Sequence, residues 1–174
     1  MTMELTRGTR ISRVAGTALL ASALVAIAGI VFLVLMFSAF AAGARAQGMV
    51  FGAINDTLVL ISYLLVAPTV VLLHELLRTR WPGWSTAVTA CGLAGIAGIV
   101  LLQGLLVAGV VTFEQEIGPV MIPFAAFTIW IITTGYMTSR SGLLPRGLPL
   151  AVVASLYVGF PVWAWALGRR LQQV

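Results

Sequence analysis

The chain has 174 residues, of which 60% are apolar and 9% charged, with a mean hydropathy of +1.07. Soluble domains carry about 25% charged residues, so the solvent for most of these side chains is lipid or a neighbouring helix, and no stretch remains for a soluble catalytic domain. The net charge of +5 rests on ten Arg and no Lys, which excludes Schiff-base and P-loop lysine chemistry; basic residues confined to short gaps fit orientation and anionic lipid, not nucleic acid.

A bilayer crossing takes about 20 apolar residues, and five apolar runs of that order or longer fill the sequence. The first, 14–42, follows a segment carrying Arg7, Arg10 and Arg13. Ala44-Arg45-Ala46-Gln47 at its end imitates a signal-peptidase site, but the apolar run is about twice as long as a signal-peptide core, which predicts a retained helix. The second run, 57–77, begins after Asn55-Asp56 and is followed by Arg78 and Arg80. Trp81-Pro82-Gly83-Trp84 then breaks the chain. The remaining runs cover 85–112, 117–139 and 148–167, the last containing Pro161, which could kink it or turn it back. None alternates in the manner of a strand. The expectation is one all-α transmembrane domain spanning 1–174, a polytopic bundle of about five helices.

Charge predicts the orientation. With the N-terminus inside, Arg7, Arg10, Arg13, Arg78, Arg80, Arg140 and Arg146 collect on the cytoplasmic side against Arg45, Arg169 and Arg170 outside, seven against three. Trp81 and Trp84 would mark the inner interface, and Trp163 and Trp165 the outer one. Trp130, near the middle of the fourth run, is placed for packing within a bundle.

No catalytic, nucleotide-binding or metal-binding signature is assembled. Cys91 is the only cysteine, so there is no internal disulfide and no thiol pair for redox chemistry or zinc. His74-Glu75 is the most chemically loaded dipeptide. Glu75 and Arg78, three apart, can pair on one helical face, which makes His74 an interfacial histidine; the alternative is an axial ligand to haem or a chlorophyll-type pigment. Asp56, directly before Thr57, is expected to cap the second helix; the alternative is a proton or cation site in a cavity with Gln103 or Glu114. Glu114 and Glu116 read as residues of a solvated turn. Gln103, alone in the middle of the third run, should face another helix and hydrogen-bond there, while the threonines of the fourth run can bond back to their own helix.

Small residues at four-residue spacing mark packing faces, because they let helix backbones approach closely. Ala18, Ser22 and Ala26 form one on the first helix, Ala90, Ala94 and Gly98 on the third with Gly92 and Gly95 nearby, and Ala151, Ser155 and Gly159 on the fifth.

Ile54-Asn55-Asp56 before a helix containing Pro68, Ser141-Gly142-Leu143-Leu144-Pro145-Arg146-Gly147, and the ending from Pro161 to Arg170 resemble multi-pass inner-membrane proteins of bacteria whose activity is uncharacterised. The resemblance implies a helical bundle in a bacterial inner membrane and supplies no activity. Short loops, close-packing faces and missing chemistry together point to a non-enzymatic accessory or structural subunit of a larger membrane assembly, its partners being lipid and other membrane subunits or copies of itself. The alternative is a small transporter or channel component with a polar path through Asp56, Gln103 and Glu114.

Overall fold

The computed structural model describes residues 2–142, with side chains from Arg13 onward. These residues form four helices, α1 (Thr2–Ala41), α2 (Arg45–Leu77), α3 (Pro82–Val107) and α4 (Phe113–Arg140), with no strand among them. All four are long and apolar enough to cross a membrane. The expected fifth span, 148–167, lies outside the described residues, as do Ala151, Ser155 and Gly159.

Short turns make successive helices antiparallel. One end of the bundle carries the N-terminus, the α2–α3 turn and the end of α4; the other carries the α1–α2 and α3–α4 turns. We call these the open end and the hairpin end. Among the described residues, Arg7, Arg10, Arg13, Arg78, Arg80 and Arg140 belong to the open end and Arg45 to the hairpin end.

The helix boundaries correct the sequence expectations at two places. α2 begins at Arg45, not near Thr57. The preceding residues look like loop because they hold Arg45, Gln47, Asn55 and Asp56, but Gly48 and Gly52 seat large side chains of α1: a Cβ at Gly48 would collide with the Phe40 ring, and one at Gly52 would lie 3.1 Å from Met36 Sδ. Inside this longer helix Thr57 donates its hydroxyl to Ala53 O at 2.8 Å, which leaves the helix unbroken. α3 stops at Val107, short of residue 112, because Gly109 adopts a left-handed φ of 70°. Its N–H donates to Leu106 O and that of Val110 to Leu105 O, both at 2.9 Å, the paired bonds of a glycine-terminated helix. Gly43 (φ 75°) ends α1 in the same way.

α1 and α2 meet along a seam with a regular register. Ala15 faces Thr69, whose hydroxyl donates to Ala15 O at 3.3 Å. Seven residues on, Ser22 faces Ser62, with Oγ atoms 3.0 Å apart. After seven more, Gly29 lies opposite Asn55; an added Cβ would sit 3.6 Å from Asn55 Oδ1. Small side chains at heptad spacing keep the same face toward the partner and allow close approach.

α3 packs on α4 through Gly92, Gly95 and Gly98. A Cβ at Gly92 would lie 2.5 Å from the Trp130 ring, at Gly95 2.8 Å from Phe127 N, and at Gly98 2.7 Å from Pro123 Cβ. This corrects the face expected from Ala90, Ala94 and Gly98: Ala90 and Ala94 are exposed, and the contact runs along the flank through Gly92 and Gly95. Cys91, half-buried, directs its thiol to Ala126 O at 3.4 Å, a structural contact.

The core is closed by aromatic rings. Tyr63 of α2 meets Phe127 edge-on at 4.8 Å and Phe124 at 5.7 Å, and Phe127 stacks on Trp130 at 5.2 Å. Trp130 is 1% exposed. These rings separate two polar regions, one toward each end.

Candidate functional site

The polar region toward the hairpin end joins α3 to α4. Glu116, in the first turns of α4, is 3% exposed, and Gln103 is 6% exposed. The Gln103 Nε2 group donates to Glu116 Oε1 at 2.9 Å. Its carbonyl Oε1 is buried with no hydrogen-bond partner. Asp56, half-buried on α2, acts electrostatically on Glu116 as a like charge, and its Oδ1 accepts from Asn55 Nδ2 at 3.3 Å. Three helices therefore supply two carboxylates and one unsatisfied amide oxygen to one region.

This arrangement changes the roles expected for three residues. Asp56 does not cap a helix; it lies well inside α2, whose N-cap is Ala44. Glu116 does not lie in a solvated turn. Thr112 N–H donates to Gln115 Oε1 at 2.9 Å, a capping box that starts α4 at Phe113 and draws Glu116 into the helix. Residues two apart point in nearly opposite directions on a helix, so Glu116 faces inward while Glu114 is exposed and lies within electrostatic reach of Arg45. Of the expected set Asp56, Gln103 and Glu114, Gln103 bonds to Glu116 instead of to either acid of the set, and Glu114 faces away from that contact.

The second polar region lies toward the open end. His74, half-buried, places Nδ1 3.0 Å from Ser85 Oγ, and that hydroxyl donates to His74 O at 3.3 Å. Either tautomer of His74 satisfies the Nδ1 contact, since the Ser85 hydroxyl can donate or accept there. A cavity of about 10 Å³ beside it is lined by His74, Ser85, Thr89, Thr134 and Trp130, room for about one water. That volume excludes a haem or pigment macrocycle within this cavity. Glu75 and Arg78 pair at 2.9 Å on the surface, both half-exposed or more. Arg80 lies over the Trp81 ring at 5.2 Å and Arg140 over Tyr136 at 5.5 Å, basic and aromatic groups of the kind that sit at a headgroup layer.

Two threonines of α4 bond back to their own helix. Thr128 donates to Phe124 O and Thr138 to Thr134 O, each at 2.8 Å. Among the described residues no three His, Cys, Asp or Glu side chains come together in a way that could hold a metal ion. No family model, curated protein or solved structure matches the chain.

Proposed function

We propose that this chain is a non-enzymatic multi-pass protein of a bacterial inner membrane, its open end cytoplasmic, acting as an accessory or structural subunit of a larger membrane assembly. The observation that carries the reading is the aromatic layer of Tyr63, Phe124, Phe127 and Trp130. It fills the bundle between the two polar regions, leaving the helices to work through their outer surfaces. Those surfaces are apolar: Leu24, Ile27, Val31 and Val34 form an exposed stripe on α1, which is bordered chiefly by α2. The orientation rests on the Arg asymmetry of the sequence, seven against three, of which the described residues hold six at the open end and Arg45 at the hairpin end. Native mass spectrometry of gently solubilised protein tests the reading. Co-purifying membrane subunits or a defined oligomer is the expected result; a bare monomer under all mild conditions rejects it.

A second reading, a small transporter or channel component, is favoured by one feature, the buried Glu116–Gln103 contact with Asp56 beside it. Ionisable residues inside a membrane bundle mark ion and proton pathways. Ion flux in proteoliposomes that is abolished by Glu116→Gln would establish it, and equal flux in empty vesicles would end it.

A further inference from the structure

Toward the open end, α2, α3 and α4 enclose between them the cavity of about 10 Å³, with walls from all three helices: His74 from α2, Ser85 and Thr89 from α3, Trp130, Thr134 and Met137 from α4. A void of that size is near the smallest that holds a water molecule. Size alone does not fill it, because voids lined only by hydrocarbon stay dry, whereas one with two or more polar partners takes up water.

The hydroxyls decide between the two. A helical threonine commonly satisfies its hydroxyl on the carbonyl one turn back, and Thr57, Thr86, Thr128 and Thr138 do so at 2.8 to 3.0 Å. Thr89 and Thr134 do not: among the described residues neither hydroxyl has a hydrogen-bond partner, and both residues line the cavity. Thr134 is 2% exposed, so bulk solvent does not serve it. The third polar wall is the His74 imidazole, whose Nδ1 is spent on Ser85 Oγ at 3.0 Å and whose Nε2 donates or accepts according to the tautomer. No carboxylate and no Arg lines the cavity among the described residues, which argues against an ion. Leaving buried hydroxyls unbonded costs more than fixing one water.

We infer that this cavity binds a single water, hydrogen-bonded to Thr89 of α3, Thr134 of α4 and the His74 imidazole of α2. The water is a structural ligand that joins three helices at one point near the open end. Because it turns in place from donor to acceptor, it also keeps His74 satisfied through a change of tautomer. It is independent of whether the chain serves as a subunit or a channel component.

X-ray radiolysis of the full chain in detergent, read by peptide mass spectrometry, tests for it, since hydroxyl radicals formed from a bound water oxidise the side chains around it. Met137 and Trp130 line the cavity and are 4% and 1% exposed. Both should be oxidised in the beam, while Met137 should be spared by hydrogen peroxide added to the bulk, a molecule larger than the cavity admits. Thr134→Val combined with Thr89→Val keeps the shape of both side chains and removes the hydroxyls. The double variant should lose radiolytic oxidation at Met137 and Trp130, with Trp84, 70% exposed, oxidised as in the parent. Protection of Met137 and Trp130 in the parent would show a dry cavity, and oxidation of Met137 by peroxide would show a site open to bulk solvent. Undiminished radiolysis in the double variant would show that the hydroxyls hold nothing there. Each of these three results overturns the bound water, and the first two come from the parent alone, so they do not depend on how the variant folds.

Discussion

Ser22 and Ser62 hold each other reciprocally across the α1–α2 seam. Ser22 Oγ lies 3.0 Å from both Ser62 O and Ser62 Oγ, and Ser62 Oγ lies 3.4 Å from Ser22 O. Both residues are buried, at 0% and 3% exposure. Interhelical hydrogen bonds in membrane bundles contribute about 0.6 kcal/mol on average and up to about 1.7. Ser22→Ala should therefore cost on the order of 1 kcal/mol and Ser22→Leu about 1–3 kcal/mol through overpacking. Reversible unfolding in mixed micelles measures both. Ser22→Ala with Ser62→Ala should be less than additive, because one contact is lost in either variant.

The α3–α4 face predicts a sharp contrast between neighbours. A Cβ at Gly95 would meet Phe127 N at 2.8 Å and Pro123 O at 2.9 Å; both are backbone atoms, so α4 itself must move. Gly95→Ala should lower stability by about 1–3 kcal/mol, while Ala94→Leu, on the exposed side, should be nearly neutral. Thermal unfolding of the two variants beside the parent decides the rotation of α3.

Removing one member of the Gln103–Glu116 contact should hurt more than replacing it with a like shape. Glu116→Ala leaves the Gln103 amide buried with neither group bonded, at a cost of about 1–3 kcal/mol. Glu116→Gln keeps an acceptor for Gln103 Nε2 and should cost less than Glu116→Ala in the same unfolding assay. Glu114→Ala should leave the core unchanged.

The antiparallel order of the four helices predicts that single cysteines in a Cys91→Ser background label in two groups. Cysteines at Arg13 and Gly142 should react from one side of the membrane, and those at Gly43 and Gln115 from the other. A membrane-impermeant thiol reagent on intact and opened cells reads the pattern. With the open end cytoplasmic, Gly43 and Gln115 react first; labelling of Arg13 and Gln115 from the same side would contradict the antiparallel order.

The existence of the four described helices was legible in the apolar runs, but α3 starts at Pro82, inside the Trp81-Pro82-Gly83-Trp84 stretch read as a break, because proline is well suited to a first helical position. The start of α2 was hidden because Arg45, Gln47, Asn55 and Asp56 look like loop; the helical role of the stretch is visible only once Phe40 and Met36 of α1 lie over Gly48 and Gly52. α3 carries small or apolar residues on every side, so spacing alone fits Ala90-Ala94-Gly98 as well as Gly92-Gly95, and only contact with Trp130 and Phe127 decides between them. The different environments of Glu114 and Glu116 did have a local signal, the Thr112 to Gln115 capping spacing, which places both on a helix and therefore on different faces. The contact of Gln103 with Glu116 in particular had none, since it depends on how α3 and α4 are rotated against each other.

The heptad register of the seam restricts how the bundle can move. Sliding α1 along α2 by one turn would set Ser22 beside Val66 and Ser62 beside Ala26, stranding two hydroxyls among hydrocarbon that is now closed around them. A smaller slip would drive Ala15 and Gly29 off the partners that fit them. Translation along this seam is thus penalised at every intermediate step, and α1 and α2 behave as one kinematic body. Motion is left to the joint between that pair and the α3–α4 hairpin, the joint at which Tyr63 meets Phe124 and Phe127.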